Sequence, residues 1–104
     1  MKVSNALRNG VYEMPNKPKH IAEQLSKALA RGDTAQFTTY LMEHVRARGM
    51  TAMARQTGIS RYSLYRYESG RDLPMLETAL KMAAACGFKL VVVPDQSTFP
   101  SDLQ

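Results

Sequence analysis

Residues 57–70 read TGISRYSLYRYESG, a Gly-Ile-Ser turn followed by a short segment with two arginines and three tyrosines. Leu64 and Tyr67 stand three positions apart, the spacing that places two side chains on one helical face. Ser60 is a favourable N-cap for a helix starting at Arg61, and Ser69-Gly70 supplies its stop, so the spacing predicts a helix over 61–68. With Leu64 and Tyr67 turned toward a core, Arg61, Tyr62, Tyr65 and Arg66 project from the opposite face. This short helix shows one apolar edge to the protein and a cationic, aromatic face to whatever lies outside.

The preceding residues complete a recognisable pair. Met50 to Thr57 reads as a helix, in which Ala54 is the small residue where two helices can cross. Gly58 opens the turn, Ile59 follows it, and Met53, Leu64 and Tyr67 supply apolar contacts. These are the requirements of a helix-turn-helix, whose second helix presents its outer face to the DNA major groove. There an arginine fork can bond guanine O6 and N7 together, and a tyrosine can meet a thymine methyl or a phosphate. From Arg46 to Arg71 the chain holds six arginines (46, 48, 55, 61, 66 and 71) against a single acid, Glu68. Helix N-termini near Thr51 and Ser60 are expected to meet phosphates, with Arg55 and Arg71 adding charge.

The bulk properties agree. A chain of 104 residues suits one domain with a single core, and its net charge of +5 favours a polyanionic partner. The longest apolar run, LVVVP at 90–94, falls far short of the ~18 residues needed to span a bilayer. The start, MKVSNALRNG, has no apolar core of a secretion signal, so a cytoplasmic protein with no membrane partner is expected. Cys86 has no disulfide mate, and neither a CxxC nor a His-x3-His pair is present, which leaves no zinc site. His20 and His44 lack companions at motif spacing, and no nucleophile-base pair or phosphate loop is visible. The expectation is a non-enzyme that needs no cofactor.

Around the motif the chain reads as an all-α domain of five helices with one short C-terminal strand. Residues 1–19 hold Pro15 and Pro18 without apolar periodicity and read as a flexible arm. Ile21, Leu25 and Leu29 mark a first helix from about His20 to Arg31. Phe37, Tyr40, Leu41 and Val45 mark a second, capped at Asp33 or Thr34 and closed at Gly49. Pro74 suits the first turn of a fifth helix with Leu76, Ala79, Leu80 and Ala83 as core face, ending at Gly87. Met50, Met53, Met75 and Met82 are expected to fill core space.

FKLVVV then reads as the one strand candidate, with Phe88, Leu90, Val91, Val92 and Val93 as its apolar residues. A lone strand needs a mate, and the simplest is the same strand of a second copy, giving an isologous homodimer. Two recognition helices would then enter successive major grooves about 34 Å apart on a pseudo-palindromic operator. The domain is thus expected over 20–94, followed by a polar tail, 95–104.

The residues MARQTGISRYSLYRYESG resemble the Cro-type or Xre-type phage-repressor helix-turn-helix. That resemblance implies base reading by Arg61, Tyr62 and Arg66, with Ser60 and Ser63 approaching backbone or adjacent bases; Tyr65, on the same outward face, is expected to meet backbone or flanking positions. A narrower pattern covers about 20–94: an opening with Leu25, Ala28-Leu29 and Gly32-Asp33, then RARGMT and the S...LY of the recognition helix. It is similar to the HigA-like addiction-module antidote proteins, and FKLVVVP resembles the dimer-forming strand of the HipB type. What this implies is an antitoxin that represses its own type II toxin-antitoxin operon and neutralises a small toxin protein. The alternatives are a stand-alone or prophage transcriptional regulator and, from another class, a protein-docking adaptor without DNA binding. Taken singly, Glu68 is expected to bond an arginine or a backbone amide within the fold, and Tyr67 to be core with its hydroxyl exposed.

Overall fold

A computed structural model describes residues 18–95. Five helices follow one another: α1 (Pro18–Ala30), α2 (Thr34–Arg48), α3 (Met50–Thr57), α4 (Arg61–Ser69) and α5 (Leu76–Ala85). The described residues contain no strand. The arm expected over 1–19 and the tail expected over 95–104 lie outside the described residues, apart from Pro18, Lys19 and Asp95.

Pro18 opens α1, where its fixed φ suits a first helical turn, two residues ahead of the start expected at His20. Ile21, Leu25 and Ala28 are buried against α2, whereas Leu29, expected in the core, is 39% exposed. Ala28, one position round the helix, is fully buried in its place. The α1–α2 link turns at Gly32, with φ of +73°. Asp33 then caps α2, its Oδ1 accepting the N–H of Gln36 at 2.9 Å.

α2 is the centre of the molecule and packs against each of the other four helices. Phe37, Leu41, Met42 and Val45 line its buried face. Its buried Thr38 hydroxyl donates to the Thr34 carbonyl at 2.8 Å, so the one buried polar side chain among the described residues is satisfied. Gly49 closes α2 through N–H bonds to the carbonyls of Val45 and Arg46, and at the same time precedes α3.

The fifth helix departs from the expected pattern. It begins at Leu76 with Met75 as N-cap, so Pro74 stands just outside it. Its core face is Ala79, Met82 and Ala83, continued by Cys86, while Leu76 and Met75 are more than 70% exposed and Leu80 is 42% exposed. Both sets of residues fit a helical period; contact with α3 and α2 selects the face of small residues and Met82. Beyond Gly87 the chain does not form the expected strand, for which a single copy offers no hydrogen-bonding mate. Phe88 and Leu90 instead pack on the core, and Val91, Val92 and Val93 face outward, Val92 almost wholly.

Candidate nucleic-acid interface

The geometry of the site starts at the turn between α3 and α4. Gly58 adopts φ of +79°, in the left-handed region that an L side chain enters only with strain, and its N–H bonds the Ala54 carbonyl at 2.9 Å. The Thr57 hydroxyl donates to the Met53 carbonyl at 2.7 Å and accepts the N–H of Ile59 at 3.1 Å. Ser60 caps α4 by accepting the N–H of Ser63 at 3.1 Å, and its Oγ also lies 3.1 Å from the Ser63 hydroxyl. Gly70, with φ of +83°, ends the helix.

Leu64 is the one buried residue of α4, with no exposed surface. Ile59 and Tyr67 pack partly buried beside the core, in keeping with the apolar roles expected of them. The rest of α4 therefore faces outward. Arg61 and Tyr62 are exposed, Tyr62 at 70%, as is Tyr65, while Arg66 and Ser63 are half-buried. Thr51, Arg55, Ser60 and Arg71 are exposed on the flanking segments. An open cavity of about 340 Å³ is lined by Tyr62, Tyr65, Arg66, Glu68, Ser69 and Arg71.

Several of these side chains are held by partners within the chain. Arg61 Nη1 donates to the Thr51 hydroxyl at 2.8 Å, tying the start of α4 to the start of α3. Arg66 Nε donates to Asp72 Oδ2 at 2.6 Å and its Nη1 to the Tyr62 hydroxyl at 3.3 Å, with the guanidinium carbon 5.6 Å from the centre of the Tyr62 ring. Arg46 makes a two-pronged pair with Glu68, through Nε to Oε2 and through Nη2 to Oε1 at 2.7 Å, and lies 5.8 Å from the centre of the Tyr65 ring. Glu68 thus bonds an arginine of α2 and fastens α4 to the scaffold, as its place in the sequence suggested.

The charges respond accordingly. Hydrogen bonding from Arg66 holds the Asp72 carboxyl below the usual range, and Arg46 does the same to Glu68. Bonds to Asp72 and then to Tyr62 raise the Arg66 guanidinium, and the Glu68 bond raises Arg46. All four groups are therefore charged at neutral pH.

Two features escaped sequence reading. Asp72 lies six residues from Arg66, beyond a helix end, so no periodicity signals their contact. Arg48, counted only as part of a basic cluster, donates from Nη1 to the Ala85 carbonyl at 2.7 Å and so bonds the C-terminal end of α5. Nearby, His44 stands edge-on to Phe88 with ring centres 5.4 Å apart. Burial and then the Arg48 charge lower the pKa of His44, and burial raises that of Cys86. Among the described residues no group of histidine, cysteine and carboxylate side chains is arranged to hold a metal ion, and no helix is long and apolar enough to cross a membrane.

Over the described residues the fold and this surface define a class, an all-helical domain with a short arginine- and tyrosine-bearing helix presented outward on a five-helix scaffold. A family model described as "Probable addiction module antidote protein" matches residues 10–94. The chain belongs to that family, and the match supports an antitoxin role in an addiction module. No curated protein and no solved structure matches the chain significantly.

Proposed function

We propose that this protein is a sequence-specific DNA-binding repressor and the antitoxin of a type II toxin-antitoxin module that autoregulates its operon. The observation that carries the DNA-binding part is the composition of α4: Leu64 alone is buried, and Arg61, Tyr62, Tyr65 and Arg66 all lie on the outward side. On this reading α3 and α4 form an Xre-type helix-turn-helix. Arg61, Tyr62 and Arg66 read base edges in the major groove, and Thr51, Arg55, Ser60, Ser63, Tyr65 and Arg71 meet phosphates or flanking bases. The protein acts by binding alone, without cofactor or catalysis, in the cytoplasm.

A homodimer supplies two such helices to a pseudo-palindromic operator. Its basis here is the run Val91–Val93, apolar and exposed in the single chain, which gains backbone partners if it pairs with its copy. The antidote family supports a small toxin protein as the further partner.

The test is fluorescence anisotropy of the protein on the DNA upstream of its own gene and on scrambled DNA, across a range of salt. Tight binding confined to the upstream DNA, and lost in an Arg61→Ala/Arg66→Ala variant, is the expected result. Weak binding that is equal on both and indifferent to the mutations would leave protein docking as the function.

A further inference from the structure

Arg66 has two side-chain partners, and the loop that carries one of them is itself bonded to the Arg66 backbone. The Arg66 carbonyl accepts the N–H of Arg71 at 3.1 Å and that of Asp72 at 3.4 Å. Asp72 is thereby placed beside the side chain of the residue that anchors its backbone, and its carboxylate receives Arg66 Nε at 2.6 Å. The Tyr62 hydroxyl accepts one N–H of Nη1 at 3.3 Å. A guanidinium has five N–H donors in a fixed plane, so three remain for an outside acceptor after these two are used.

We infer that Asp72 is a positioning residue for DNA recognition, fixing the guanidinium of Arg66 so that its remaining donors present a pre-set fork to a base edge. This deepens the DNA-binding reading above and rests on it. The physical gain is in entropy: a long arginine side chain that is already oriented loses less freedom when it binds. A carboxylate at a surface that meets a polyanion is otherwise a liability, because it repels phosphate. Its presence six residues after Arg66, and its bond to the side-on edge of that residue, give it a use that outweighs the repulsion at the right sequence and leaves it uncompensated at the wrong one. Asp72 therefore raises selectivity from both directions.

The experiment compares wild type, Asp72→Asn, Arg66→Ala and the double variant on a duplex enriched from a random pool by the wild-type protein, and on the unselected pool. Asp72→Asn is expected to weaken binding to the enriched duplex about tenfold, within the range of one arginine–guanine contact. On the unselected pool it should bind as tightly as wild type or tighter, since a negative charge is gone. In the Arg66→Ala background the same substitution should leave selectivity unchanged. An NMR signal of the Arg66 Nε–H that weakens through faster solvent exchange in Asp72→Asn gives a readout independent of DNA. Equal selectivity of Asp72→Asn and wild type would overturn the inference, and so would tighter binding to both DNAs, which is the mark of an inhibitory latch. Failure of the wild-type protein to enrich any sequence would instead overturn the DNA-binding reading itself.

Discussion

Ser60 joins two roles that a pair of substitutions can separate. Its Oγ accepts the Ser63 N–H at 3.1 Å as the N-cap of α4, and the same exposed end of the helix is where a phosphate is expected. Ser60→Ala removes the cap from a short helix in which Leu64 is the one fully buried side chain, and the Tyr67 packing and the Glu68 tie both lie toward its other end. The loss should be about 1 kcal/mol, which for a domain of this size lowers the melting temperature by about 4–8 °C. Ser60→Asp keeps an acceptor at the cap and suits the helix dipole, so it should melt within a few degrees of wild type. On DNA the order reverses in character. Aspartate places a negative charge against a phosphate and should reduce affinity for every sequence, lowering the slope of log affinity against log salt by about 1 in magnitude. Thermal melts by circular dichroism and anisotropy titrations at several salt concentrations read both effects. A Ser60→Ala variant that melts with wild type would refute the capping argument, and a Ser60→Asp variant that binds DNA as well as wild type would remove Ser60 from the phosphate contact.

Other expectations follow from the same geometry. Arg66→Ala should weaken operator binding by roughly five- to a hundredfold per half-site and relax discrimination, whereas Arg55→Ala should weaken cognate and random DNA alike; equal losses for both variants in competition titrations would undo the assignment of roles. Leu64→Ala removes a fully buried side chain and should cost about 2–5 kcal/mol in urea unfolding, taking DNA binding with it through loss of α4. Lowering the His44 pKa on folding means the unfolded chain binds the proton more readily, so stability should be complete above the ordinary histidine range and decline as pH falls below about 6.5; His44→Phe should flatten that decline. Val92→Lys should leave the single-chain fold intact and shift sedimentation toward monomer, and an unchanged dimer would exclude pairing through this segment.

Local chemistry made much of this architecture legible. Asp33, Gly49, Gly58, Ser60 and Gly70 each act within a few residues of themselves, as side-chain caps or as left-handed backbone, and they delimit α2, α3 and α4 where the sequence places those helices. Of the two partners expected for Glu68, an arginine or a backbone amide, the structure shows the arginine, Arg46. Faces were harder. In α5 the series Leu76, Ala79, Leu80, Ala83 and the series Ala79, Met82, Ala83, Cys86 both satisfy a helical period, and contact with α3 and α2 decides between them. Met75 looked like core because it is apolar, yet at an N-cap it points away from it. The Asp72 contact depends on a loop path, and the expected strand at 88–93 needs a hydrogen-bonding mate that the single chain does not supply, so neither is written in the periodicity of one chain.

That α4 fully buries a single side chain has an evolutionary consequence. If α4 reads DNA as proposed, substitutions at positions 61, 62, 65 and 66 alter its target while Leu64, the Ser60 cap and the Arg46–Glu68 tie continue to hold the helix in place. Duplicated copies of such a gene can therefore drift apart in target sequence without passing through unfolded intermediates. Closely related modules sharing one genome can stay insulated from each other while keeping the same scaffold.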